Sequence, residues 1–246
     1  MKLVHHQLTS QGNREINQDC MAYRVDPDFA LFVVADGLGG HHAGEKASRF
    51  FCHGLIKNAE AFARLMENKP GVTMALWIDA AVEEMRNLFA GDPAALEAHT
   101  TCAILYLDKN QVLTAHCGDS RVYRLSPREV LWRTRDHSIP QALLEEGKIT
   151  ESEMGGHPEQ NCLRRSINVA AGHQSEIAVY PAAEAGETFI LCSDGFWENV
   201  KAQEFLQLAQ PESGINELGK AAKLSLLRAN GKSDNITVQW VRCLSL

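Results

Sequence analysis

Four aspartates stand in short runs flanked by glycine or asparagine, each against an apolar segment: Asp36-Gly37, Gly118-Asp119-Ser120-Arg121, Ser193-Asp194-Gly195 and Asp234-Asn235. Three follow stretches that read as buried strands, residues 29–35, 112–117 and 189–192, and the fourth precedes one, residues 236–241. Asp-Gly is also a common turn signal, so any one of them alone would read as a turn. If the four strands share a core, the carboxylates converge at one rim. Such an all-oxygen set suits Mg2+ or Mn2+, whereas zinc would recruit histidine or thiolate. Two such ions about 3.5–4 Å apart can share a water, lower its pKa and aim it at phosphorus. Gly37 would let a backbone carbonyl approach a cation, since it has no side chain. Arg14, in a polar stretch five residues before Asp19, is the candidate to grip two phosphate oxygens at once.

The elements that must position these groups are readable in part. Residues 43–63 and 74–90 carry apolar side chains at helical spacing, among them Phe51, Leu55, Leu76, Ile78, Val82 and Leu88. Between 100 and 133 the period changes to that of strands, at 100–107, 112–117, 121–125 and 130–132, and the short connections predict an antiparallel meander. Residues 134–172 break that pattern with a short helix near 140–146, Gly147 and Gly155-Gly156, and are expected to run over the surface as a lid or specificity segment. Strands follow near 176–180 and 187–192, then helices at about 201–209 and 214–229 and a closing strand to about Cys243. Helix pairs alternating with hairpin-linked strands predict an α+β fold of antiparallel sheets covered by helices. Neither a GxGxxG fingerprint nor a P-loop is present.

The 246 residues contain no Pro/Ser/Gly-rich linker and are expected to form a single domain, 1–246. With 45% hydrophobic and 22% charged residues there is apolar surface enough for a full core. A net charge of −7 argues against a broad nucleic-acid footprint. Seven cysteines, odd in number and without CxxC spacing, read as reduced and buried, and none begins a Cys-x5-Arg loop. The N-terminus lacks the apolar stretch of a signal peptide and no run is long enough to cross a bilayer, so a cytoplasmic monomer away from membranes is expected.

The sequence resembles the metal-dependent protein serine/threonine phosphatases of type 2C. The resemblance rests on Arg14-Glu15-Ile16-Asn17-Gln18-Asp19, Val34-Ala35-Asp36-Gly37-Leu38-Gly39-Gly40-His41, His99-Thr100-Thr101 and Cys117-Gly118-Asp119-Ser120-Arg121-Val122-Tyr123. It continues through Asp136-His137-Ser138, Leu191-Cys192-Ser193-Asp194-Gly195-Phe196-Trp197 and Ser233-Asp234-Asn235-Ile236-Thr237. These motifs run in family order over about residues 9–243, and the Gly-Gly-His turn resembles the bacterial branch. The resemblance implies a four-layer α-β-β-α sandwich, two antiparallel sheets flanked by helix pairs, with a dinuclear Mn2+ or Mg2+ site at one end. It further implies that Asp36 bridges both metals, Gly37 gives its carbonyl, Asp194 and Asp234 complete one shell, and Asp19 acts through bound water. Arg14 would hold the substrate phosphate, Asp119 would join Asp194 at a third, weaker ion, and Asn235 would orient Asp234. Residues 134–172 would be the flap.

Two departures stand out. Gln18 occupies a position where many members carry glutamate, and His41 is displaced by the Leu38-Gly39-Gly40 insertion, so the general acid is left open between His41, His42 and metal-bound water. The expected function is hydrolysis of phosphoserine and phosphothreonine on proteins, by in-line attack of a hydroxide shared by two metals, opposing a serine/threonine kinase. The alternatives are a related phosphohydrolase of small phosphoesters and a catalytically idle module that binds a phosphoprotein or kinase.

Overall fold

The computed structural model of the chain describes residues 2–39 and 42–245. Its first part comprises strands β1 (Lys2–Ser10), β2 (Asp19–Val25) and β3 (Phe29–Leu38), then helices α1 (His42–Lys57), α2 (Ala59–Ala63) and α3 (Pro70–Leu88). The middle holds β4 (His99–Thr100), β5 (Cys102–Asp108), β6 (Gln111–Cys117), β7 (Arg121–Leu125) and β8 (Val130–Arg133), followed by α4 (Ile139–Glu145), α5 (Glu151–Met154) and β9 (Ile167–Asn168). The chain then forms β10 (Glu176–Pro181), β11 (Thr188–Cys192), α6 (Asp194–Trp197), α7 (Ala202–Leu208), α8 (Ile215–Arg228) and β12 (Ile236–Ser245).

The strands form two sheets. One has the order β1-β12-β11-β7-β8; in the other β10-β6-β5-β3-β4-β9 run in sequence and β2 pairs with β3. Every strand pairing is antiparallel. The period-2 pattern of β3 explains the layering, because successive side chains leave a strand on opposite faces. Leu31, Val33 and Ala35 pack with Phe51, Leu55, Trp77 and Met85 beneath α1 and α3. Ala30, Phe32 and Val34 face the other way, into a core shared with Phe189, Leu191 and Val241 of the opposite sheet. That opposite sheet buries Ile190, Val238 and Trp240 under Phe205, Leu218 and Ala222 of α7 and α8. The three cores define the expected α-β-β-α order.

Several local expectations are corrected. The helix expected over 43–63 breaks at Asn58, whose Nδ2 donates to the Gly54 carbonyl at 2.9 Å, and restarts as the short α2. In α3 the buried stripe is Met74, Trp77, Ile78, Ala81, Val82 and Met85, while Leu76 and Leu88 are 55% and 43% exposed. The meander is not one sheet: β5 and β6 belong to one sheet, β7 and β8 to the other, and Gly118-Asp119-Ser120 carries the chain across. Gly118 takes φ +96° there, the left-handed region that favours glycine. The half-buried edge strand β1 was not expected at all.

Candidate metal centre

Each of the four aspartates is delivered by a different piece of the sandwich. Asp36 lies inside β3 rather than at its end, since β3 continues to Leu38 and pairs Gly37 with Thr100 of β4. Its N–H donates to Thr101 Oγ1 (2.9 Å), and its carbonyl accepts from Thr101 N (2.8 Å) and Thr100 Oγ1 (3.0 Å). Asp119 sits on the crossing between the sheets. Asp194 opens α6 directly after β11, and Asp234 precedes β12; the two are tied by Ser193 N donating to Thr237 O at 3.0 Å and Thr237 N donating to Ser193 Oγ at 3.0 Å.

These segments meet around a pocket of about 400 Å³ lined by Arg14, Asp36, Gly37, Asp119, Asp194 and Asp234 among others. Asp19 is not on its wall. It stands opposite Asp36 in the β2–β3 register, buried, with Oδ2 accepting from Ser193 Oγ at 2.7 Å. Its Oδ1 is buried and has no hydrogen-bond partner among the described residues. Asn235 staples the rim: its Oδ1 accepts from Gln18 N (2.8 Å) and its Nδ2 donates to the Gln11 (2.8 Å) and Ile16 (3.0 Å) carbonyls. Arg14 reaches in from an exposed loop and pairs with Asp234. The His41 expectation falls outside the described residues.

Two glycines are needed for a reason beyond cation approach. A Cβ on Gly37 would lie 2.0 Å from the Gly44 carbonyl oxygen, and one on Gly195 would lie 2.3 Å from the Asn235 carbonyl oxygen. Side chains at these positions would push apart the segments that carry the aspartates.

The cluster is electrostatically strained without cations, which is the test of whether these residues suit them. Burial is the first cause, raising Asp19 to about 6 and Asp119 to about 7. Asp36 and Asp194 are raised well above the ordinary carboxylate range, by burial and then by neighbouring carboxylates, Asp19 and Asp119 for the former and Asp36 and Asp119 for the latter. Arg14 is shifted upward, chiefly by its hydrogen bond to Asp234. Carboxylates held this close, with a buried unpartnered oxygen beside them, match hard divalent cations with oxygen preference.

Four contributors were missed in the sequence. Glu198 stands one helical turn beyond Asp194, and burial with the charges of Asp119 and Asp234 pushes it up to about 8. The i, i+4 spacing from Asp194 was the available signal. Asn161 and Leu163 of the 134–172 segment line the pocket, which no sequence pattern announces. Trp197 donates its indole N–H to the Asp119 carbonyl (2.9 Å), and the Arg121 guanidinium lies 3.3 Å from the Trp197 ring centroid while gripping Asp136 through two bonds of 2.8 and 2.6 Å. The Asp136-His137-Ser138 motif therefore serves as a support behind Asp119.

Comparison with known proteins gives a consistent result. Residues 9–224 match the family described as Protein phosphatase 2C. The chain is 32% identical over 215 residues to the serine/threonine protein phosphatase PstP of Mycobacterium tuberculosis, covering 85% of this chain but only 39% of that relative. It is 31% identical over 219 residues to the serine/threonine phosphatase stp of Listeria welshimeri, covering 86% of this chain and 83% of the relative. A crystal structure of the catalytic domain of PstP in complex with two manganese ions superposes with a TM-score of 0.76 at 26% identity, over 99% of each chain.

Proposed function

The chain belongs to the protein phosphatase 2C family of metal-dependent serine/threonine phosphatases, and we propose that it hydrolyses phosphoserine and phosphothreonine on proteins. The observation that carries this reading is the convergence of Asp36, Asp119, Asp194 and Asp234 with Arg14 on one pocket, from five separate segments. Asp36, Asp194 and Asp234, with the Gly37 carbonyl, are the groups proposed to hold two Mn2+ or Mg2+ ions, and Asp119 with Asp194 a third. Bound there, such ions supply Lewis acidity and a water of lowered pKa.

The protein's own groups do the rest. Arg14 holds two oxygens of the substrate phosphate, as a planar guanidinium can. Asp19, held by Ser193 behind Asp36, orients water. Asn235 fixes the Asp234 loop against Gln18, and His41 is the proposed proton donor to the departing serine or threonine oxygen. Asn161 and Leu163 on the pocket wall support reading 134–172 as a flap within one catalytic domain. A phosphoprotein substrate implies an opposing serine/threonine kinase. A cytoplasmic, monomeric protein fits this reading, and among the described residues no helix is long and apolar enough to cross a membrane.

The deciding assay compares a phosphothreonine peptide with p-nitrophenyl phosphate in Mn2+ and in EDTA. Turnover of both in Mn2+ and of neither in EDTA is expected. Hydrolysis of the small ester alone would overturn the protein substrate, and undiminished rates in EDTA would overturn the metal mechanism.

A further inference from the structure

Beside the aspartate pocket lies a second, separate hollow of about 490 Å³, lined by Arg135, Arg164, Arg165, Glu145 and Glu176 over a floor that includes His137. The two concavities are opposite sides of one stretch of chain. Asn161 and Leu163 face the aspartates, whereas Arg164 and Arg165 face the hollow. The stretch is pinned in place by Ile139 N donating to Cys162 O (3.2 Å), Arg164 N donating to His137 O (2.7 Å) and a β-bridge between Ser138 and Leu163.

The charges of the hollow are poorly matched from within. Arg135, Arg164 and Arg165 are all exposed. Arg135 meets Glu145 only at 3.7 Å. Arg165 borders His137 Nε2 at 3.3 Å, and Glu176 faces the same nitrogen at 3.7 Å. Among the described residues neither Arg164 nor Arg165 forms an ion pair with a carboxylate, and Asp136 on the floor is already taken by both arms of Arg121. Three guanidinium groups against two exposed carboxylates leave the hollow positive on a chain of net charge −7. Such a spot, next to a pocket walled by carboxylates, is where a polyanionic substrate gains its attraction.

We infer that this hollow binds a second phosphoryl group on the substrate, so that the preferred substrates are segments phosphorylated at two nearby positions. The inference rests on the phosphatase reading above and adds its substrate class. Guanidinium groups pair with phosphate oxygens through two parallel bonds, which favours a phosphoryl dianion over a single carboxylate. Hollow and pocket share one stretch of wall, residues 161–165, so the test below places the second group three residues from the one being hydrolysed, about 10 Å along an extended peptide.

The test uses three peptides of one sequence, each with one phosphothreonine. The first carries nothing else; the others carry, three residues away, glutamate or the non-hydrolysable phosphonate analogue of phosphoserine. Initial rates are measured in Mn2+ for the native chain and for the double variant Arg135→Ser/Arg164→Ser, neither residue being part of the aspartate pocket. The phosphonate is expected to lower KM about tenfold in the native chain with kcat unchanged, and the double variant to lose that advantage while hydrolysing p-nitrophenyl phosphate normally. Equal KM for the plain and phosphonate peptides, an advantage that survives in the variant, or an equal gain from glutamate would each overturn the inference. Fluorescence anisotropy of the labelled phosphonate peptide in EDTA reads the hollow without turnover. Tenfold weaker binding by the variant supports the inference even if the native chain proves inactive, a result that would sink only the phosphatase reading; unchanged binding refutes the hollow.

Discussion

Arg14 Nη2 lies 2.5 Å from Asp234 Oδ2, an ion pair between residues 220 positions apart that closes one side of the aspartate pocket. The pair joins two residues with different proposed partners, phosphate for the arginine and a cation for the carboxylate. Replacing Arg14 with alanine should therefore raise KM for a phosphopeptide by roughly 10–100-fold, the worth of a charge-assisted bond of about 1.5–3 kcal/mol. Mn2+ affinity, read by calorimetry, should stay the same or improve, because a competitor for Asp234 is gone. An unchanged KM would remove Arg14 from the phosphate site.

Metal-free stability should depend on pH in a direction the cluster dictates. Asp119 at about 7 and Glu198 at about 8, with Asp36 and Asp194 raised well above the ordinary range, bind protons in the folded state that the unfolded chain has already released. Stability then falls as pH rises through those folded-state values. His116 and His137 act oppositely, because burial lowers both and the unfolded chain takes up their protons first as pH falls below about 6.5. Between pH 6.5 and 8 the carboxylates dominate, so in EDTA the Tm should drop by roughly 5 °C or more. Mn2+ should largely abolish the drop; a flat profile in EDTA would contradict the strain.

Acidic residues inside and behind the pocket should respond to substitution in opposite ways. Asp194→Asn relieves repulsion and should raise the urea midpoint of the metal-free protein while abolishing turnover. Asp136→Ala removes the carboxylate that grips the buried Arg121 guanidinium against Trp197, leaving it the Tyr123 hydroxyl and Glu151 at 3.6 Å, and should cost about 3 kcal/mol. Equal destabilisation by both would show that Asp194 is merely structural.

Gly37→Ala should damage the site through packing alone. Its Cβ would fall 2.0 Å from the Gly44 carbonyl oxygen, so β3 or the start of α1 must shift. A loss of about 1–3 kcal/mol in urea unfolding is expected, with a larger proportional loss of turnover. Native-like stability and activity would contradict that geometry.

The strands buried on both faces, such as β3 and β11, were readable as unbroken apolar runs. The half-buried edge strand β1, with His5 and His6 at its centre, gave no such run. Its pairing with β12 supplies the signal that the sequence lacks. Arg14, Asp36, Gly37, Asp119, Asp194 and Asp234 do come together, as their flanking residues suggested. What sequence could not supply was register and sheet membership. Asp19 meets Asp36 only because β2 pairs with β3, and a three-residue connection such as Gly118-Asp119-Ser120 reads as a hairpin whether or not it crosses between sheets. Glu198 carried only its i, i+4 spacing from Asp194 as a signal, a weak one because a carboxylate on a helix ordinarily faces water.

The central claim is that Asp36 and its neighbours hold the cations on which phosphopeptide hydrolysis depends. Mn2+ titration by calorimetry and phosphothreonine-peptide turnover, measured on the same preparations of the native chain and Asp36→Asn, test it most directly. The native chain should bind at least two Mn2+ and turn over peptide. The variant, folded by circular dichroism, should lose tight Mn2+ binding and at least 10³-fold in kcat, about 4 kcal/mol of transition-state stabilisation. Turnover in the variant within tenfold of the native rate, or native turnover without bound Mn2+ or Mg2+, would contradict the account.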